Sequence, residues 1–145
     1  SIVWIASNND SDKLVIENKI KMNLRSNDFF YSNLNRIDFL GLMKTAKFII
    51  GNSSSGILEA PSFGTPAINI GRRQDLRFRG ANVVDVQFKA NEISQAIQLV
   101  QSPEFVAQSR LAKNPYGDGN SSAAILDILE KTEISPKFLI KQIVY

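Results

Sequence analysis

The stretch FIIGNSSSGILEAPSFGTPAINI, residues 48–70, decides the fold of this chain. Its apolar ends, 48–50 and 67–70, predict two strands, and the segment 55–63 between them predicts a short helix. Two strands joined through a helix form a βαβ unit, in which the strands run parallel. The stretch therefore predicts an α/β protein built on a parallel sheet.

The same alternation of strands and helices continues on both sides of this unit. Further strands are predicted at 2–7, 28–32 and 82–86, and further helices at 36–46, 91–102, about 121–132 and about 136–144. The spacing of Leu14, Ile16, Ile20 and Leu24 predicts the first helix. We expect one Rossmann-like domain over residues 1–145, a three-layer sandwich in which helices cover both faces of a parallel sheet.

The composition excludes several classes of function. The chain has no cysteine and no histidine, which removes thiol catalysis, thiolate or imidazole metal sites and Ser-His triads. We therefore expect neither a metal nor a cofactor. The net charge of +3 comes from scattered basic residues, which is weak support for nucleic-acid binding. No apolar stretch approaches the roughly 20 residues that span a membrane, so we expect a soluble, cytoplasmic protein.

Three consecutive serines between two glycines follow the strand at 48–50, and we call residues 51–56 the serine loop. Ligands of open α/β sheets bind beyond the carboxyl ends of the strands, where helix N-termini expose unpaired amides. The serine loop therefore predicts an anion site. The alternative is that Ser53 or Ser54 only caps the next helix. Because Ile57 and Leu58 occupy the Lys and Ser/Thr positions of a P-loop, the positive charge must come from elsewhere.

Two neighbouring features favour a nucleotide as the anion. Glu59 would be repelled by a diphosphate unless it points at the adjoining sugar, where a carboxylate can accept hydrogen bonds from two ribose hydroxyls. Alternatively, it only complements the helix dipole. The segment GRRQDLRFRG, 71–80, which we call the arginine loop, follows the strand at 67–70 on the same side of the sheet. Its four arginines favour phosphate recognition over a merely solvated rim.

These residues carry a resemblance to a known family. GNSSSGILEAPSFGTPAINIGRRQ (51–74), followed by RFRGANVVDV (77–86), closely resembles the hydrolysing UDP-N-acetylglucosamine 2-epimerases of the sialic-acid pathway type. SNNDSDK (7–13) is similar to the family's P-N-x-D-x-G turn, and NPYGDGNSSAAILDIL (114–129) is similar to its N-P-Y-G-D-G helix start. The chain departs from the family where Leu76 replaces the usual Gly and where Arg72 replaces a polar or acidic residue.

The resemblance implies a fold and a set of binding residues. The chain would be the UDP-binding, C-terminal half of a glycosyltransferase-B-like enzyme, with UDP or UDP-GlcNAc as its ligand. The resemblance implies that two serines contact the diphosphate, an acid holds the ribose hydroxyls, an arginine lies against phosphate, and the loop after the second strand faces the uracil through its backbone. The implied UDP-binding residues are Ser53, Ser54, Ser55, Gly56, Glu59, Arg73, Asn33 and Leu34.

The resemblance also implies a reaction, the anti elimination of UDP from UDP-GlcNAc followed by addition of water to give N-acetylmannosamine. The family places its acid/base groups on an N-terminal domain that is absent from this chain, so no catalytic residue is expected within residues 1–145 and the isolated fragment should be inactive. The last helix would contact that domain, and the full-length enzyme would be a homo-oligomer. The alternatives are a UDP-N,N'-diacetylbacillosamine 2-epimerase, half of another glycosyltransferase-B-like enzyme, or a non-catalytic nucleotide-sugar-binding module.

The segment NPYGDGN, 114–120, has two interpretations at this stage. Pro115 and Gly117 are typical of a turn, and Asn120 or Ser121 is suited to cap the next helix. A structural turn is therefore favoured over a ligand contact.

Overall fold

The computed structural model describes residues 1–6 and 12–140, and its strands and helices alternate along the chain. The strands are β1 (Val3–Ile5), β2 (Phe29–Tyr31), β3 (Ile49–Gly51), β4 (Ala67–Ile70) and β5 (Val83–Val86). The helices are α1 (Lys13–Met22), α2 (Arg36–Thr45), α3 (Ser55–Leu58), α4 (Ala90–Val100), α5 (Pro103–Leu111), α6 (Ser121–Lys131) and α7 (Pro136–Leu139), and a 3-10 helix (Ala60–Phe63) follows α3. The α/β class is confirmed.

All strand pairings between the described residues are parallel, as the βαβ pattern predicts. The strands β3, β4 and β5 form one sheet in that order, with Ile68 opposite Ile50 on one side and Val84 on the other. The strands β1 and β2 pair separately, with Trp4 opposite Phe30. The described strands thus lie in two hydrogen-bonded groups rather than in one continuous sheet.

Helices cover both faces of the sheet β3–β4–β5, which gives three layers. Side chains alternate between the faces of a strand, so Ala67 and Ile68 of β4 point in opposite directions. Ile68 packs in a core cluster with Val100 of α4, whereas Ala67 packs with Met43 of α2 and Ala60 of the 3-10 helix. Burying each large side chain of such a core contributes about 1.5–3 kcal/mol.

Two helical segments differ from the sequence-based expectation. The helix predicted at 55–63 is one α-helical turn followed by a 3-10 turn, because Pro61 lacks the amide that would continue the α-helix. The 3-10 turn ends at Gly64, whose φ of 64° is in the left-handed region. The helix α5 was not predicted. It begins after Ser102, whose hydroxyl accepts a hydrogen bond from the amide of Phe105.

The C-terminal helices expose much apolar surface. No residue of α6 is buried, and Ile125, Leu126, Ile128 and Leu129 are each more than half exposed. Of the helix predicted at about 136–144, the structure gives α7, while residues 141–145 lie outside the described part, as does most of the turn predicted at 7–13. Within the described ranges, no helix is long and apolar enough to cross a membrane.

Candidate functional site

The serine loop follows the carboxyl end of β3 and is held by hydrogen bonds within itself. Gly51, at the end of the strand, has a φ of 151°, a conformation that side chains disfavour. The Ser53 hydroxyl lies 2.9 Å from the Ser55 hydroxyl and accepts a hydrogen bond from the Ser55 amide at 3.3 Å. Ser54 occupies the position before α3, but its side chain forms no capping hydrogen bond. The fold therefore does not use the Ser54 hydroxyl as a helix cap.

The four predicted residues of the serine loop differ in exposure. Ser53 is exposed and Ser54 is half-buried, whereas Ser55 and Gly56 are buried. A side chain at Gly56 would place its Cβ 3.3 Å from the Cβ of Ala67 on β4, so glycine lets α3 lie close to the sheet. Ser53 and Ser54 are thus the serines that face outward. The helix α3 has only four residues, so its dipole is weaker than a longer helix would supply.

Glu59 lies directly after α3 and forms an ion pair that the sequence did not suggest. Its Oε1 accepts a hydrogen bond from Nη1 of Arg36 at 3.0 Å. The side chain of Glu59 is 27% exposed and that of Arg36 is 74% exposed, so the pair lies at the surface with the carboxylate accessible. Arg36 is the first residue of α2. The pair joins the end of α3 to the start of α2.

The loop between β2 and α2 contains the two residues expected to face a uracil. Asn33 is exposed and Leu34 is half-buried. Asn35, which follows them, caps α2, because its Oδ1 accepts a hydrogen bond from the amide of Asp38 at 3.0 Å. The loop therefore runs into a fixed helix start. Arg36, two residues after Leu34, pairs with Glu59, so the ion pair connects the start of α2 to the end of α3.

The arginine loop is tied to the serine loop by a buried glutamine. Gln74 is 4% exposed, and its Nε2 donates a hydrogen bond to the carbonyl of Asn52 at 2.8 Å. The Oε1 of Gln74 is buried without a hydrogen-bond partner. This contact confirms that the two loops lie on the same side of the sheet. Arg73, adjacent to Gln74, is exposed.

The four arginines of this loop have different surroundings. Arg79 binds both carboxylate oxygens of Asp85 at 3.1 Å and donates hydrogen bonds to backbone carbonyls of its own loop, so its guanidinium is committed to the loop structure. Arg72 pairs with Asp75 at 3.0 Å. Arg73 and Arg77 are exposed. The guanidinium of Arg79 is therefore not available to a phosphate in this conformation.

Arg79 and Asp85 shift each other's pKa. Burial raises the pKa of the Asp85 carboxyl, but hydrogen bonds from Arg79 and Asn69 outweigh it, and the net effect is a lowered pKa. The same hydrogen bonds raise the pKa of Arg79. Both groups thus stay charged, and the pair fixes the end of the arginine loop on β5.

The segment 114–120 joins α3 and the 3-10 helix to the arginine loop. Asn114 donates hydrogen bonds from its Nδ2 to the carbonyl of Leu58 at 2.9 Å and to the hydroxyl of Ser62 at 2.7 Å. The hydroxyl of Tyr116 contacts the carbonyl of Phe78 at 3.3 Å. These contacts support the structural interpretation of NPYGDGN. Asn120 lies at the start of α6 but forms no side-chain cap, which differs from expectation.

The site can bind an anion and the polar edge of a sugar. Ser53, at the tip of the serine loop, and Arg73, in the adjoining arginine loop, are both exposed, and an accessible carboxylate lies at the end of α3. Among the described residues, no group of three or more acidic side chains could hold a metal ion. The chemistry on offer is hydrogen bonding and charge stabilisation.

Sequence comparison places this arrangement among known proteins. A protein-family model described as "UDP-N-acetylglucosamine 2-epimerase" matches residues 1–130. The chain is 37% identical over 120 residues to the Escherichia coli "Polysialic acid biosynthesis protein P7", covering 82% of this chain and 31% of that protein. It is 40% identical over 108 residues to the Campylobacter jejuni "GDP/UDP-N,N'-diacetylbacillosamine 2-epimerase (hydrolyzing)", covering 72% of this chain and 28% of that protein. The chain thus spans less than two thirds of these relatives.

The fold of this chain is also similar to solved structures of 2-epimerases. A UDP-N-acetylglucosamine 2-epimerase crystal structure matches with a TM-score of 0.67 and 27% identity, over 88% of this chain and 34% of that one. The Neisseria meningitidis UDP-GlcNAc 2-epimerase, whose structure is bound to UDP-GlcNAc, matches with a TM-score of 0.66 and 25% identity, over 91% of this chain and 36% of that one. The fold of this chain therefore corresponds to about a third of those chains.

Proposed function

Because the chain belongs to the UDP-N-acetylglucosamine 2-epimerase family, we propose that it is the UDP-binding domain of a hydrolysing 2-epimerase of UDP-sugars. The diphosphate lies against Ser53 and Ser54, with Arg73 beside it. Glu59 accepts hydrogen bonds from the ribose hydroxyls, and the backbone at residues 33–34 faces the uracil. Ser55 and Gly56 shape the serine loop from the buried side.

Two contacts support this proposal, because they link the three segments that are predicted to bind the nucleotide. The Gln74–Asn52 hydrogen bond joins the arginine loop to the serine loop. The Arg36–Glu59 ion pair joins the end of α3 to the loop after β2. A nucleotide diphosphate needs these parts in this order, because its phosphates, ribose and base are consecutive.

The proposed role of this chain in the reaction is to stabilise the leaving group. When UDP is eliminated from the sugar, negative charge grows on the phosphate oxygen that leaves. Hydrogen-bond donors of the serine loop and Arg73 stabilise that charge, and one good donor of this kind typically contributes about 3–4 kcal/mol. The acid/base groups that remove and add protons are proposed to lie outside this chain, so the chain alone binds UDP without turnover.

The sugar has a second candidate. The similarity to the Campylobacter jejuni diacetylbacillosamine 2-epimerase is as high as that to the Escherichia coli protein, and the former is named for GDP and UDP derivatives. A 2-epimerase of UDP-N,N'-diacetylbacillosamine is therefore the alternative. Comparing the affinities for UDP, GDP and ADP tests the base. Preference for ADP would favour another glycosyltransferase-B-like enzyme or a nucleotide-sugar-binding module, whereas preference for GDP would favour the GDP derivative for which the Campylobacter jejuni relative is named.

Calorimetric titration with UDP tests the proposed site. We expect Glu59→Ala and Arg73→Ala each to weaken UDP binding about tenfold or more, because each removes a charged hydrogen-bonding group worth about 1.5–3 kcal/mol. Arg72→Ala is the matched control, since Arg72 is the neighbouring exposed arginine and is not part of the proposed site. UDP binding that is unchanged in both site variants would reject the site.

The exposed apolar residues of α6 are proposed to bind a further domain of the enzyme. Four of them, Ile125, Leu126, Ile128 and Leu129, form a patch that no described element of this chain covers. Such a patch is typical of an interaction surface. The N-terminal domain expected from the family is its proposed partner. Homo-oligomerisation of the whole enzyme and its location in the cytoplasm stay predictions.

A further inference from the structure

We infer that Arg36 is a positioning residue that holds Glu59 for the ribose and thereby sets the preference of the site for ribonucleotides over deoxyribonucleotides. This inference rests on the proposed function, since it concerns the same UDP site. It assigns a role to a residue that the sequence pattern does not single out. Its basis is the geometry of one ion pair and the elements that hold it.

The ion pair leaves the carboxylate able to bind a sugar. Arg36 donates to Oε1 of Glu59 at 3.0 Å, through a single guanidinium nitrogen. An ionised carboxylate can accept about four hydrogen bonds. No other side chain within residues 1–6 and 12–140 donates a hydrogen bond to this carboxylate, and 27% of the Glu59 side chain is exposed to receive a ligand. Two adjacent ribose hydroxyls can donate to this carboxylate while Arg36 stays bound.

Both partners of the pair stand on fixed backbone. Arg36 is the first residue of α2, directly after the Asn35 cap, and α2 is anchored in the core by Met43, which is 3% exposed. Glu59 lies between α3 and the 3-10 helix, and its amide donates to the carbonyl of Ser55 at 3.0 Å. Because neither end moves freely, the hydrogen bond restricts the rotamers of the glutamate and holds its carboxylate in one orientation.

The charge of Arg36 has a second effect. Glu59 follows closely after Ser54, where the diphosphate binds in the proposed complex. An unpaired carboxylate within a Debye length, about 10 Å at 0.1 M salt, would repel a diphosphate. The guanidinium of Arg36 offsets this charge, so the carboxylate can serve the ribose without weakening phosphate binding.

A purely structural ion pair makes a different prediction. Pairs as exposed as this one usually contribute little to stability, and removing such a pair would change UDP and 2′-deoxy-UDP binding by the same factor. Positioning of Glu59 concerns only the ribose hydroxyls, so it changes the ratio of the two dissociation constants. The ratio is therefore the measurement that separates the two roles.

The experiment measures this ratio by calorimetry with UDP and 2′-deoxy-UDP on the whole 145-residue chain. We expect the original chain to prefer UDP by about tenfold or more, the effect of one hydrogen bond to a charged group. Arg36→Ala and Glu59→Gln should each reduce the preference to about twofold or less, and Arg36→Lys should retain most of it. Arg36→Gln serves in place of the alanine variant if that variant does not fold.

Arg25→Ala is the matched control. Arg25 forms an ion pair of the same length, 3.0 Å, with Asp28, on the loop before β2, and its side chain is similarly exposed. Its replacement should leave the preference for UDP unchanged. If Glu59→Gln abolishes the preference while Arg36→Ala retains it in full, the inference is overturned and the proposed function stands. If the original chain does not bind UDP, the proposed function fails and the inference fails with it.

Discussion

Replacing Gly64 by alanine should destabilise the fold more than any other glycine-to-alanine change considered below. Gly64 ends the 3-10 helix with a φ of 64°, a backbone conformation that an alanine adopts at a cost of about 1–2 kcal/mol. An added Cβ would also lie 2.8 Å from the Cα of Arg110 on α5. That contact is with backbone, which cannot rotate away.

The magnitude follows from adding these two effects. Overpacking of this kind costs about 1–3 kcal/mol, so Gly64→Ala should lower the free energy of unfolding by about 2–5 kcal/mol. Gly119→Ala separates the cost of backbone strain from the cost of overpacking, because Gly119 has a φ of 94° but no atom within 4 Å of its added Cβ. Its cost should be the backbone strain alone. Gly41→Ala, inside α2 with open space around it, should instead stabilise by about 0.5–1 kcal/mol.

Urea denaturation of the three variants at 25 °C measures these differences. The expected order of stability is Gly41→Ala, the original chain, Gly119→Ala and Gly64→Ala, from highest to lowest. Equal losses for Gly64→Ala and Gly119→Ala would mean that α5 does not press against the 3-10 helix as described. A loss of stability in Gly41→Ala would contradict the assignment of open space beside α2.

Three further changes test other parts of the molecule. Leu76 is the described non-glycine residue with a positive φ, 67°, so Leu76→Gly should raise the urea midpoint by the equivalent of about 0.5–1 kcal/mol, and a lower midpoint would contradict this strain. Hydrogen bonds from Arg25 hold the pKa of Asp28 well below its usual range, so this carboxylate stabilises the fold above the unfolded-state pKa of about 3.9. Asp28→Asn should therefore lower the melting temperature at neutral pH, and the difference from the original chain should narrow as the pH falls below about 4; a difference that is the same in acid would refute this linkage. Gln74→Ala removes the hydrogen bond to the Asn52 carbonyl and should weaken binding of UDP by about threefold to tenfold, the effect of one neutral hydrogen bond. Binding of uridine should stay unchanged in the same titration, because uridine has no phosphate to contact the serine loop.

The elements of the fold were predictable where the signal is local. The strand β4 matches the predicted bounds of 67–70, because a short apolar run before a polar loop is typical of a buried parallel strand. The helix α5 has a local start signal, Ser102 before Pro103, which the spacing of apolar residues does not contain. The split of the helix at 55–63 could also be read from Pro61, which disfavours an α-helix interior.

The candidate site was predictable as a set of segments but not as a set of contacts. The serine loop and the arginine loop each follow a strand, and parallel strands bring such loops to one edge. The hydrogen bonds that connect the segments of the site link residues 22 to 56 positions apart. They are Gln74–Asn52, Arg36–Glu59 and Asn114–Leu58. Sequence spacing does not encode these distances, since they depend on how the helices pack. The pairing of Arg79 with Asp85 spans only six positions, and it was not predicted because it depends on how the arginine loop folds against β5.

A crystal structure of this chain with UDP would show where the nucleotide binds. We expect the pyrophosphate within hydrogen-bond distance of Ser53 and Ser54, and both ribose hydroxyls on the carboxylate of Glu59. The opposite edge of the sheet has a cleft lined by Lys44, Lys47 and Arg110, which could attract the same anion. Pyrophosphate bound in that cleft, with the serine loop empty, would contradict the account.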